Sequence, residues 1–184
     1  MSEPLESSVV LITGIMASGK STVAQALAER LPQAAHVRGD VFRRMVVSGR
    51  VEMGPDLDPS AVAQLRLRYR LAARTADAYA EAGFTAVLQD IVIGEEFAPY
   101  VRLVRTRPLY VVVLAPRPHA VAAREAGRSK TGYGEGWTPH ALDEELRART
   151  PRVGLWLDSS EQTPQQTVDE ILARLPEAAV TTCP

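Results

Sequence analysis

Cysteine is almost missing from this chain: among 184 residues the single thiol is Cys183, next to the last position. That excludes an internal disulfide framework and a metal centre built on paired thiolates, and it makes a reducing, cytoplasmic setting the expectation. Lysine is nearly as scarce. Lys20 and Lys130 are the only two, so nineteen of the 21 basic residues are arginine. Acidic residues number 22, and the resulting net charge of −1 argues against a large basic surface for nucleic acid. The three histidines, His36, His119 and His140, lack metal-ligand spacing and read as structural or surface residues. No apolar run approaches the ~18 residues of a membrane span. The opening Met1-Ser2-Glu3-Pro4-Leu5-Glu6 is acidic where a secretory signal would be basic, so a soluble protein with no membrane partner is expected. With 46% hydrophobic content, the length suits one globular domain over residues 1–184.

Against these absences stands one motif. Gly14-Ile15-Met16-Ala17-Ser18-Gly19-Lys20-Ser21 fits the phosphate-binding pattern G-x-x-x-x-G-K-[ST], and it follows the apolar run Ser8 to Thr13. With lysine so rare, about one such chain in a thousand would match by accident. A helical pattern with Val23, Ala24, Leu27 and Leu31 on one side begins at Ser21. Glycines let backbone N–H groups close around phosphate oxygens, and a helix N-terminus then faces the anion. Gly14, Ala17, Ser18, Gly19, Lys20, Ser21 and Thr22 are therefore expected to hold a nucleoside triphosphate. Lys20 would reach the β and γ phosphates, and the Ser21 hydroxyl would ligate Mg²⁺.

Four further runs read as strands: 35–38, 84–89, 109–114 and 153–157. Helical patterns separate them, and the third and fourth are continuously apolar, which predicts a three-layer α/β/α sandwich around a five-stranded parallel sheet. Ligands in such a sheet sit beyond the C-terminal strand ends. Asp40, Asp90 and Asp158 fall there. Asp40, after Gly39, is read as a catalytic or metal-linked carboxylate, with a helix N-cap as the plainer alternative. Asp90 closes an apolar strand in Walker-B fashion and is read as a metal contact, direct or through water, against the alternative of a turn residue. Asp158, before Ser159-Ser160, is read as a turn or capping residue with no chemistry.

Positive charge gathers in three places. Residues 127–136 hold four glycines, and with Arg124, Arg128 and Lys130 they make a candidate lid over about 127–138. Arg128 is the candidate for γ-phosphate contact, and Arg124 for stacking on adenine. Arg43 and Arg44 lie on a helix beginning at Asp40, with a helical pattern from Val41 to Val47, and are candidate acceptor-binding residues against the plainer alternative of a solvated face. Arg66, Arg68, Arg70 and Arg74 lie on a longer helix, 61–82, whose apolar side is Leu65, Tyr69, Ala72, Ala73, Ala76 and Ala80; with Arg66, Arg70 and Arg74 at i, i+4 spacing, one basic stripe results, read as solvent-facing with substrate contact as the lesser alternative. A frayed tail is expected over about 177–184.

The order P-loop, Gly-Asp after the second strand, apolar strand ending in Asp, and arginine-rich lid resembles the small P-loop kinases that include shikimate, gluconate and adenylylsulfate kinases. Over residues 8 to about 175 the likeness is nearest the chloramphenicol phosphotransferase-like group. Asn-Lys-x-Asp and Leu-Ser-Gly-Gly-Gln motifs are absent. The resemblance implies ATP and Mg²⁺, a small-molecule hydroxyl as acceptor, and Asp40 as the base that takes the hydroxyl proton. Two departures argue against shikimate: Arg38 replaces the first aspartate of Asp-x-Asp, and a Gly-Gly segment is missing from Asp90-Ile91-Val92-Ile93-Gly94. A nucleoside, nucleotide or polynucleotide 5′-hydroxyl kinase and a nucleotide-dependent switch or partner-binding module stand as alternatives.

Overall fold

The computed structural model describes residues 5–54, 56–127 and 138–181. Five strands, β1 (Val9–Gly14), β2 (Ala34–Arg38), β3 (Thr85–Gln89), β4 (Leu109–Leu114) and β5 (Leu155–Leu157), form one parallel sheet in the order β2-β3-β1-β4-β5. Among them run α1 (Lys20–Arg30), α2 (Gly39–Arg44), α3 (Pro59–Glu81), α4 (Phe97–Leu103), α5 (Pro118–Ala126), α6 (Pro139–Arg149), α7 (Pro164–Ala173) and α8 (Leu175–Ala178).

The central strands β3, β1 and β4 are buried along their whole length because both faces are covered. On β1, Val9 and Leu11 face one core while Val10 and Ile12 face the other. The first core is closed by Tyr69, Ala72, Ala73, Ala76 and Ala80 of α3 with Phe97, Tyr100 and Val101 of α4. The second is closed by Val23, Ala24 and Leu27 of α1 with Val168 and Ile171 of α7. Small alanines along α3 let that helix lie close to the sheet, and Tyr69 fills the remaining space edge-on to Tyr100 at 4.8 Å between ring centroids. Helix α3 starts where Pro59 presets the backbone and the Asp58 carboxylate accepts from the amides of Ser60 (2.7 Å) and Ala61 (3.2 Å).

From the centre, the chain leaves β1 toward β2 on one side, while β4 and β5 extend the sheet on the other. This opens a crevice at the C-terminal end of β1, beside β3. The helix expected to run on to Val47 stops at Arg44. The described part of the tail is a second correction: Ala178 is wholly buried in α8, Val180 N donates to Leu109 O at 2.9 Å, and Ala179 bridges Tyr110, while 182–184 lie outside the described residues. Burial of these apolar side chains against β4 holds a segment whose composition suggested fraying. Among the described residues, no helix is long and apolar enough to cross a membrane.

Candidate active site

The turn out of β1 uses backbone shapes that its sequence permits. Gly14 has φ +145°, and a Cβ there would overlap Leu114 O and stand 2.8 Å from Ser18 Oγ; Ala17 and Gly19 have φ +59° and +94°. Alternating handedness of this kind turns successive N–H groups inward, and α1 begins directly behind, at Lys20. Lys20 is buried, its Nζ donating to Ile15 O at 2.6 Å and lying 3.5 Å from Ser18 Oγ. The ammonium therefore lies inside the loop it must serve. Ser21 Oγ donates to Gln89 Oε1 at 3.2 Å, which ties the P-loop to the end of β3.

Beyond β3 the backbone is pinned from several sides. Thr13 Oγ1 donates to Val92 O (2.8 Å) and accepts from Val92 N (2.9 Å), and Tyr69 OH donates to Ile91 O (2.7 Å). Burial pushes the Tyr69 hydroxyl up to about 12, so it remains a neutral donor. Asp90, 1% exposed, receives Arg68 on both oxygens: Nη2 on Oδ1, and Nε on Oδ2 at 3.1 Å, with Ile91 N adding a third bond at 2.8 Å.

Across the strand junction, Asp40 leaves the first turn of α2 with its side chain about one-third exposed. It makes no capping bond, because α2 begins at Gly39 and no side chain caps it; the N-cap alternative is not what this carboxylate does. One oxygen accepts from Arg44 Nη2, while Arg38 Nε stands 3.6 Å from the other. That second oxygen, Oδ1, is enclosed and accepts no hydrogen bond among the described residues. Burial, the largest single influence, favours the neutral acid. The Arg44 hydrogen bond and the charges of Arg38, Arg44 and Arg68 outweigh it and hold the carboxyl below its ordinary 3.8, so Asp40 is anionic near neutral pH.

Lys20, Ser21, Asp40, Arg68, Tyr69, Gln89 and Asp90 line one cleft of about 1350 Å³. Lys20, Ser21 and Thr22 lie on its P-loop side with Arg124, while Asp40, Arg43, Arg44 and Arg68 line it elsewhere together with apolar Leu57, Val62 and Leu65. Arg43 pairs with Glu52, and Arg66 with Glu96 at 2.7 Å, so most cations of this half already hold a carboxylate.

The sequence reading thus converges on one place, with amendments. Gly14, Ala17, Ser18, Gly19, Lys20, Ser21 and Thr22 form the loop and helix start as expected. Arg124 does enter the cleft, but its guanidinium is bound to carbonyls, Ser18 O at 3.2 Å and Ser159 O at 2.6 Å, and bridges the P-loop to the segment after β5. Arg43 and Arg44 line the cleft through their ion pairs. Asp158 is the turn residue expected, accepting from Ser160 N at 3.0 Å. Arg128 and Lys130, with most of the candidate lid, lie outside the described residues. Asp90 gives both of its oxygens to Arg68, and it is Gln89 that touches Ser21. Sequence reasoning missed Gln89 and Arg68. Arg68, grouped with Arg66, Arg70 and Arg74 as a solvent-facing stripe, adjoins Tyr69, which buries against the core, and is itself largely buried, unlike the other three.

Mg²⁺ takes hard oxygen donors and keeps several waters. The neighbouring Ser21 Oγ and Gln89 Oε1 fit that demand, and Asp90, next in the chain, is held by Arg68 on both oxygens. Among the described residues, no cluster of three His, Cys, Asp or Glu side chains could hold a metal ion.

A parallel sheet of order β2-β3-β1-β4-β5, with a phosphate loop between its central strand and the first helix, defines an α/β fold of the P-loop NTPase type. A family profile described as an AAA domain matches residues 9–152, and the chain belongs to that family. Its fold is shared with a sugar kinase from Janibacter sp. HTCC2649, at 20% identity and a TM-score of 0.66 over 93% of this chain and 95% of that one. An APS kinase of Mycobacterium tuberculosis, solved with AMPPNP and APS, is similar at 19% identity and a TM-score of 0.68, over 94% and 99% of the two chains. The tunicamycin resistance protein of Deinococcus radiodurans is similar at 12% identity and a TM-score of 0.64, over 95% and 99%. No curated protein matches the sequence.

Proposed function

We propose that the protein is an ATP-dependent phosphotransferase that moves the γ-phosphoryl group to a hydroxyl of a small molecule. The observation that carries this reading is the anionic Asp40, lining the same cleft as Lys20 and Ser21. A nucleotide-timed switch needs no such base, whereas a kinase needs one to accept the acceptor's proton. In the step, the acceptor oxygen bonds to the γ-phosphorus as the bond to the β,γ-bridging oxygen breaks. The hydroxyl proton passes to Asp40, and ADP leaves with the bridging oxygen. The P-loop amides and Lys20 hold the phosphates in line for the attack. Ser21, with Gln89 alongside, would hold Mg²⁺, which would supply charge neutralisation to the phosphate oxygens. Arg128, in the glycine-rich segment, is assigned to the γ-phosphate. Adenine is preferred over guanine because the Asn-Lys-x-Asp motif is absent. The sugar kinase and APS kinase with similar folds support the reaction class.

The test is Mg²⁺-ATP turnover with a panel of hydroxylated metabolites, antibiotics, nucleosides and 5′-hydroxyl oligonucleotides, with product detected by mass for wild type and Asp40→Asn. A phosphorylated compound whose formation collapses in the variant is the expected result. Slow hydrolysis at equal rates in both proteins, with no phosphorylated compound, would sink the kinase reading and favour a switch.

A further inference from the structure

Parallel pairing aligns Arg38 of β2 with Gln89 of β3, so the next residues, Gly39 and Asp90, leave the sheet side by side. There the Asp90 carboxylate lies against the α-carbon of Gly39. A Cβ on Gly39 would overlap Oδ2 and lie 3.0 Å from Oδ1. Glycine is needed here for space, since its φ is not in the left-handed region. Asp90 cannot swing away, because Arg68 grips both of its oxygens and Ile91 N holds Oδ1. Arg68 is itself restrained: 14% exposed, it leaves α3 beside Tyr69, whose ring centroid lies 5.8 Å from the guanidinium carbon.

A buried ion pair is weak evidence of a gain in stability, because desolvation offsets most of the attraction. Its placement suggests another use. We propose that Arg68 and Asp90 are positioning residues for Asp40: Arg68 fixes the Asp90 carboxylate in one orientation, and that carboxylate, packed on Gly39, sets where the following residue projects. The proposal rests on the reading of Asp40 as the base. It also gives Asp90, which by sequence belongs to the metal, a different duty. Gln89, next in the chain, touches Ser21, so the same strand end registers Asp40 against the P-loop.

The test compares wild type with Arg68→Met, Arg68→Lys, Asp90→Asn and the double variant Arg68→Met/Asp90→Leu. The double variant keeps the fold secure by replacing both charges with apolar groups. The first readout needs no substrate: the amide resonances of Gly39 and Asp40, with those of Gly14 to Ser21 as reference. The second is the kinetic split for acceptor phosphorylation. We expect Gly39 and Asp40 to shift in every variant. The turnover number should fall about ten- to a hundredfold in Arg68→Met, Asp90→Asn and the double variant, as for a misplaced catalytic group, and less in Arg68→Lys. The KM for ATP and the Mg²⁺ concentration for half-maximal rate should stay within about twofold.

Recovery of full turnover in the double variant would reduce the pair to a structural ion pair. An Asp90→Asn protein whose Mg²⁺ requirement rises tenfold, with Gly39 and Asp40 unmoved, would return Asp90 to the metal. Failure of the kinase reading is separate. In that case wild type phosphorylates nothing, and the resonance shifts alone decide whether the pair sets the Gly39 and Asp40 backbone.

Discussion

Lys20 and Asp40 contribute different things to the same cleft, and their replacement separates them. Lys20 Nζ already lies within the loop, bonded to Ile15 O, so Lys20→Met removes charge from the phosphate site while its stem keeps much of the packing. We expect turnover to fall about a hundred- to a thousandfold, the scale seen for loss of a preorganised charge contact, with thermal stability little changed. For Asp40 the informative experiment is the pH profile of Arg44→Met. In the native protein the Asp40 carboxyl titrates below its ordinary 3.8, so the base form, and the activity that depends on it, is lost only as pH falls through that lowered value. Removing the Arg44 hydrogen bond and charge raises the carboxyl, and the acidic limb of the rate profile should move to higher pH. A limb that stays in place would mean that another group sets it.

At the scale of elements, the connection from α4 to β4 hangs on one buried carboxylate. Asp77 of α3 accepts from Arg105 N (3.1 Å), Thr106 N (2.9 Å) and Thr106 Oγ1 (2.8 Å). Asp77→Ala leaves these donors without their acceptor, and chemical denaturation should show a loss of about 1–3 kcal/mol. Nucleotide affinity should hold, because Asp77 does not line the cleft. This anchor also illustrates what a sequence hides. The five strands and the long helix were legible because apolar runs and i, i+4 spacing follow from burial on known faces. The loop was legible because its chemistry fixes its spacing. Asp77, Arg68 and Gln89 were not, since each depends on a partner brought near by the fold: Asp77 on residues 105 and 106, Arg68 on Asp90, Gln89 on Ser21. Arg68 shows the difficulty best. It shares a helix and a residue type with Arg66, Arg70 and Arg74, yet it alone of the four is largely buried, its charge held by Asp90.

Taken whole, the molecule places its charge-binding groups along one sheet edge and its apolar mass behind them, so a ligand in the cleft joins parts distant in sequence. Loop residues 16–21, the β3 end, α2, Arg124 and the segment after β5 all border that space. Arg124 is the cross-tie, bonded to Ser18 and Ser159. A nucleotide held by the loop would bind only the assembled form, and mass action then couples occupancy to global stability. At a hundred times its dissociation constant a ligand adds about 2.7 kcal/mol. For a chain of this length that is a rise in Tm of about 5–10 °C. Mg²⁺-ATP or a non-hydrolysable analogue should give such a shift by calorimetry in wild type and little in Lys20→Met. In Asp40→Asn the shift should persist, since that residue is assigned to the acceptor and not to the nucleotide. Loss of the shift in Asp40→Asn would place Asp40 in nucleotide binding and remove the division of labour between the two halves of the cleft.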